Sequence, residues 1–65
     1  MLVIIVSYQD VAPDAFGPFK TEEDANLYAK ANLELPPNIN LLPDDTWRHP
    51  TTKIKITINY LLPPL

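Results

Sequence analysis

Cysteine is absent from this 65-residue chain, and serine, histidine, arginine, tryptophan and glycine each occur once. Without cysteine there can be no disulfide, thiol nucleophile or thiolate metal site, and one histidine cannot build a histidine-rich metal centre. The lone Gly17 excludes a phosphate-cradling glycine loop, whose backbone needs several glycines. No apolar run reaches the ~20 residues of a membrane-spanning helix. Met1–Val6 is apolar but has neither the basic leader nor the small-residue cleavage site of a signal peptide. The expectation is a cytoplasmic protein that does not engage a membrane. A basic stripe is missing as well. Lys20, Lys30, Arg48, Lys53 and Lys55 are scattered along a chain of net charge −3, which argues against nucleic acid as a partner.

The reactive inventory is too thin for catalysis. A nucleophile–base pair would have to be Ser7 with His49, and no strained turn surrounds that serine. Asp44 and Asp45 beside His49 invite a metal reading, but adjacent acids after Pro43, with no glycine to shape a ligand loop, read as a turn. The expectation is no catalytic residue, no cofactor and no metal.

What is present describes a small fold. Hydrophobic residues make up 46% of the chain, enough for a globular domain. Leu2–Tyr8 is rich in β-branched residues and predicts a central strand, with Leu2, Ile4, Val6 and Tyr8 on one face and Val3, Ile5 and Ser7 on the other. Phe16-Gly17-Pro18-Phe19 predicts a short second strand or an extended arm. Pro18 lacks a ladder donor and belongs at an edge, and Gly17 reads as a bend or bulge.

Thr21 is placed to cap a helix, with Asp24 at the acidic position of a capping box and Glu22, Glu23 and Asp24 complementing the helix dipole. That helix should run from Glu22 to about Leu33 or Glu34 and stop before Pro36-Pro37. Its core stripe is Ala25, Tyr28, Ala29 and Leu33. Leu27 and Ala31 lie on another side and are candidates for a contact surface.

Residues 35–52 form a long, proline-rich connection. Ile39, Leu41, Leu42 and Trp47 make it too apolar for a free linker, so it should wrap the core, with one short strand around Thr46–His49. From Lys53 to Leu62 the chain alternates, with Ile54, Ile56, Ile58, Tyr60 and Leu62 on one side and Lys53, Lys55, Thr57 and Asn59 on the other. Pro63-Pro64-Leu65 ends that strand.

Gly17-Pro18-Phe19-x-Thr21-x-Glu23-x-Ala25, together with the ending Tyr60-Leu61-Leu62-Pro63-Pro64, resembles a pattern in short proteins of actinobacterial viruses, mycobacteriophages especially. The resemblance covers most of the chain. It implies a compact α+β fold and a phage accessory origin, with no activity or catalytic residues to carry over.

The expected architecture is one α+β domain over residues 1–65: a two- or three-stranded, mainly antiparallel sheet with one helix on one face, ββαβ-like. One core of this size rarely supplies more than ~3–5 kcal/mol, and a single helix leaves Val3 and Ile5 facing water. A protein partner is therefore expected, with a homodimer as first choice and a host protein as the other. Trp47-Arg48-His49 is the leading recognition segment, because tryptophan and arginine dominate interface energies. The candidate partner-binding residues are Trp47, Arg48, His49, Leu27, Ala31, Val3 and Ile5. The function expected is a non-enzymatic interaction module that modulates a host protein. The alternative is a small virion component, such as a capsid-decorating subunit.

Overall fold

The apolar run at the start of the chain becomes the middle of a sheet, because its side chains are greasy on both faces. In the computed structural model, which describes residues 1–61, this is β1 (Leu2–Ser7). It is followed by β2 (Asp14–Phe19), α1 (Glu22–Asn32), β3 (Thr46–Arg48) and β4 (Lys55–Tyr60). The sheet order is β2-β1-β4-β3 and every neighbouring pair is antiparallel. The sheet thus has four strands where two or three were expected. The fourth is the short strand expected around Thr46–His49, which spans Thr46–Arg48 and joins the sheet by pairing with β4 through Thr46↔Thr57, Trp47↔Ile56 and Arg48↔Lys55. The notional face of Leu62 and the Pro63-Pro64-Leu65 ending lie outside the described residues.

β1 and β4 pair in register from Leu2↔Tyr60 to Ser7↔Lys55. Opposed residues of an antiparallel pair share a face, so Leu2, Ile4 and Val6 line up with Ile58 and Ile56 on one side. Those five are buried, together with Ala25 and Ala29 of α1 and Leu35 and Leu41 of the long connection. The two helix alanines let α1 approach the sheet closely. Tyr28 then fits between Phe16 and Phe19 of β2, with ring centroids 5.7 and 5.3 Å away.

Local chemistry sets the helix ends. Thr21 Oγ1 accepts from the Asp24 N–H at 3.1 Å, and three acids occupy the first turn. At the other end the N–H groups of Leu33 and Leu35 both bond the Ala29 carbonyl, with Glu34 at φ 66° turning the chain out of the helix ahead of Pro36.

The long connection does wrap the core, and what holds it is a buried polar residue that the apolar stripe concealed. Asn26 donates through Nδ2 to the carbonyls of Glu22 (2.8 Å) and Leu41 (2.9 Å), and its Oδ1 accepts from the Leu41 N–H at 2.7 Å. Lys30 adds an outer tie to Asn40 Oδ1 at 2.7 Å. All of this lies on the helix side of the sheet. None of the described helices is long and apolar enough to cross a membrane.

At the end of β1, the Tyr8 hydroxyl donates to Asp14 Oδ2 at 3.1 Å across the β1–β2 turn. That hydrogen bond, with lesser contributions from desolvation and the Asp14 charge, holds the Tyr8 phenol above its ordinary value of 10.0. The fold thus favours the neutral phenol. The stability this provides is present below the ordinary tyrosine range and is lost as pH rises through the Tyr8 pKa. Asp14→Asn should bring the phenolate absorbance transition of Tyr8 back toward the ordinary value. An unchanged alkaline titration curve would rule the pairing out.

Candidate functional site: the open face of the sheet

Helix and long connection cover one side of the sheet. The other side is built from alternate strand residues in three rows that follow from the pairing register. Arg48, Lys55 and Ser7 form the first row; Thr46, Thr57, Ile5 and Ala15 the second; Asn59 and Val3 the third. Strand alternation explains the composition. The residues between these are the ones committed to the core, so this set was free to be polar except on the central strand.

The apolar part is Val3 and Ile5, both half-buried, with the exposed Ala15 beside Ile5. Thr46 and Thr57 bridge the second row with their hydroxyls 2.8 Å apart. At the far corner the Asn59 amide group faces the Ile58 carbonyl and Asp44 Oδ1, both at 3.2 Å, the orientation with its nitrogen toward them being the one that satisfies both acceptors.

Charge is unevenly distributed over the molecule. None of the open-face strand positions is acidic. Glu22, Glu23 and Asp24 lie at the start of α1 and Glu34 just past its end. Asp14 shares the core-side face with its partner Val6, and Asp10, Asp44 and Asp45 lie outside the strands. By contrast, Arg48 and Lys55 are direct cross-strand partners, and Lys53 sits in the turn between their strands at φ 63°. No carboxylate among the described residues lies within 4.0 Å of any of these three cations. Two shallow depressions flank them, one lined by Ser7, Tyr8, Gln9, Lys53 and Lys55, the other by Arg48, His49, Lys53 and Lys55.

The seven residues expected to bind a partner fall on three separate surfaces. Val3, Ile5 and Arg48 are on the open face. Trp47 and His49 flank Arg48 in sequence and so point to the other side. Trp47 packs against the core opposite Ile56, with the His49 ring edge-on at 5.5 Å. His49 Nε2 lies 3.9 Å from Glu34 Oε2, and its Nδ1 accepts from the Thr51 and Thr52 N–H groups at 3.2 and 3.3 Å. Leu27 and Ala31 are exposed on the outer side of α1. Trp47 and Arg48 therefore do not share a face, because consecutive strand residues face opposite ways, while His49, just past β3, lines a depression together with Arg48.

The same alternation separates Ser7 on the open face from His49 on the core side. Asp44 and Asp45 are engaged locally: Asp44 Oδ1 faces the Asn59 amide while its N–H bonds the Ile58 carbonyl, and Asp45 Oδ2 accepts from the Leu42 N–H at 3.1 Å. No group of three metal-ligating side chains converges among the described residues.

Sequence reasoning had already placed Lys55, Thr57 and Asn59 on one side of the last strand. It missed their union with Arg48, Thr46 and Ser7. The signal was the β3–β4 hairpin, closed by the His49 N–H on the Ile54 carbonyl at 2.8 Å, which sets Arg48 against Lys55. No known protein family matches the chain, and no curated protein or solved structure is similar to it.

Proposed function

We propose that this chain is a non-enzymatic protein-interaction module, a phage accessory protein that binds and modulates a host protein through the open face of its sheet. The observation behind this reading is the one-sided covering of the sheet. The helix and the long connection pack Ala25, Ala29, Leu35 and Leu41 on one face of the sheet, leaving Val3 and Ile5 at the centre of the other, framed by hydroxyl, amide and cationic groups.

The size of the face favours transient docking. With strands of six residues or fewer it projects roughly 300–400 Å², well under the ~800 Å² per partner of a standard stable interface. That argues against a stable homodimer across this face. The edges are equally unsuited to assembly by strand addition. β2 carries Pro18 and a bulge, and β3 has only three residues. The same features disfavour a capsid-decorating role that relies on projecting arms, since the Phe16–Phe19 segment is paired within the sheet.

The test replaces the central apolar pair by β-branched polar residues. A tagged Val3→Thr/Ile5→Thr variant should retain a protein from actinobacterial lysate about tenfold less well than the parent, a loss of about 1.4 kcal/mol. Its unfolding should stay cooperative, because β-branched side chains are kept. Equal retention by the two proteins would remove the open face as the binding surface.

A further inference from the structure

From the arrangement of charge on the open face we infer the class of its partner: an acidic, extended protein segment whose carboxylates bind at Arg48, Lys55 and Lys53. Its following residues lie over Ile5 and Val3. This inference rests on the interaction reading above and adds the chemistry of the ligand.

The main observation is a cross-strand pair that the fold does not need. Like charges directly opposite one another in an antiparallel pair are destabilising, and Arg48 faces Lys55 in just that way. Nothing among the described residues compensates. Although acids outnumber Lys and Arg by eight to five, none of the described carboxylates is within 4.0 Å of Arg48, Lys55 or Lys53. Local rules of this kind tend to be broken where function requires it. Here the missing group is an anion, and Lys53 and Lys55 line both neighbouring depressions where one would lie.

The rest of the face decides which anion. Single-stranded nucleic acid needs aromatic platforms for its bases. None of the open-face rows contains an aromatic residue; Trp47, Phe16 and Phe19 pack against the core, and Tyr8, which lines one depression, has its hydroxyl committed to Asp14. A protein segment fits what is there: carboxylates for the cationic row, backbone groups for the hydroxyls of Ser7 and Thr57, and apolar side chains for Ile5 and Val3. An extended segment of about six residues spans about 20 Å, the length of the strands beneath it.

The probe is a short capped peptide of glutamates followed by alternating valine and threonine, titrated into isotopically labelled full-length protein and followed by amide NMR. Shifts should concentrate at Ile5, Ser7, Arg48, Lys55 and Thr57 and shrink as salt is raised. The glutamine version of the peptide should bind at least about fivefold more weakly, the scale of one exposed ion pair. Arg48→Glu supplies the discriminating result. It should weaken peptide binding about fivefold or more while raising the thermal midpoint by about 1–5 °C, because it turns a like-charge pair into an attractive one.

Equal binding of the glutamate and glutamine peptides, shifts confined to the helix side, or stronger displacement of the same amides by polyuridine would each overturn the acidic-segment assignment. If lysate capture is lost in Val3→Thr/Ile5→Thr yet unaffected by Arg48→Glu, the interaction reading stands and this inference alone falls.

Discussion

Replacing Asn26 by alanine should destabilise the chain by about 2–4 kcal/mol, a large part of what a domain of this size has. Asn26 is only 4% exposed, and its amide engages both backbone groups of Leu41, itself buried at 5%. Alanine would leave the Leu41 N–H and C=O buried without partners, at about 1–3 kcal/mol for each group. The higher helix propensity of alanine would return well under 1 kcal/mol of this.

Urea unfolding should show the loss as a lower midpoint, and the Leu41 amide should lose hydrogen-exchange protection more than the amides of β1. Asn26→Asp sharpens the test. It keeps the acceptor for the Leu41 N–H but presents a carboxylate to the Leu41 carbonyl, so the folded chain should favour the protonated acid. Its folded pKa is then raised, and the stability of the variant should improve on acidification through the carboxylate range and fall as pH rises. A midpoint within experimental error of the parent for Asn26→Ala would mean that the long connection is held by its apolar residues alone.

The second large effect is expected at Gly17. Its φ of 130° is a conformation that side-chain-bearing residues rarely adopt, and an added Cβ would lie 3.1 Å from both the Leu2 carbonyl oxygen and the Phe19 ring. The first contact is backbone of the central strand. The second is a ring already packed on Tyr28. Neither can retreat cheaply. The position exists because β2 carries one more residue than β1 between the pairs Leu2↔Phe19 and Ile4↔Phe16, and Gly17 lies within that bulge.

Gly17→Ala should therefore cost about 1–3 kcal/mol, and Gly17→Val more, since a branched side chain enlarges the same clash. Chemical denaturation measures the cost. The NMR signature should be shifts at Leu2, Phe19 and Tyr28 rather than at the β3–β4 hairpin. A neutral Gly17→Ala would show that the bulge can relax to a negative φ.

These two residues mark the boundary of what could be read from the chain. Gly17 was legible, because a single glycine beside a proline in a strand-like segment has few structural uses. Asn26 was not. Its neighbours Ala25 and Ala29 carry the apolar period, and an asparagine between them looks like an ordinary exposed helix position until the partner segment is known. The clue was its place beside the stripe, which is uncommon for an amide. The candidate site shows the same contrast. Val3 and Ile5 were assigned to the uncovered face correctly, because alternation within one strand suffices for that. Trp47, Arg48 and His49 read as a unit in the chain because β3, only Thr46–Arg48, is too short to impose a visible period.

The chain by itself determined the elements whose signal is local: an apolar first strand, a helix begun by Thr21 and stopped ahead of Pro36, an edge segment at Pro18 and an alternating last strand. Each depends on periodicity, capping or backbone restriction within a few residues. Only the tertiary structure decided that Asn26 would clasp Leu41, that the short segment at Thr46 would pair with β4 as the fourth strand of the sheet, and that Arg48 would come to face Lys55 with no described carboxylate within 4.0 Å. Those outcomes depend on pairing register between segments distant in sequence. A register shift of one residue turns every side chain of a strand to the opposite face, so the identity of the open face could not be known before the hairpin was closed.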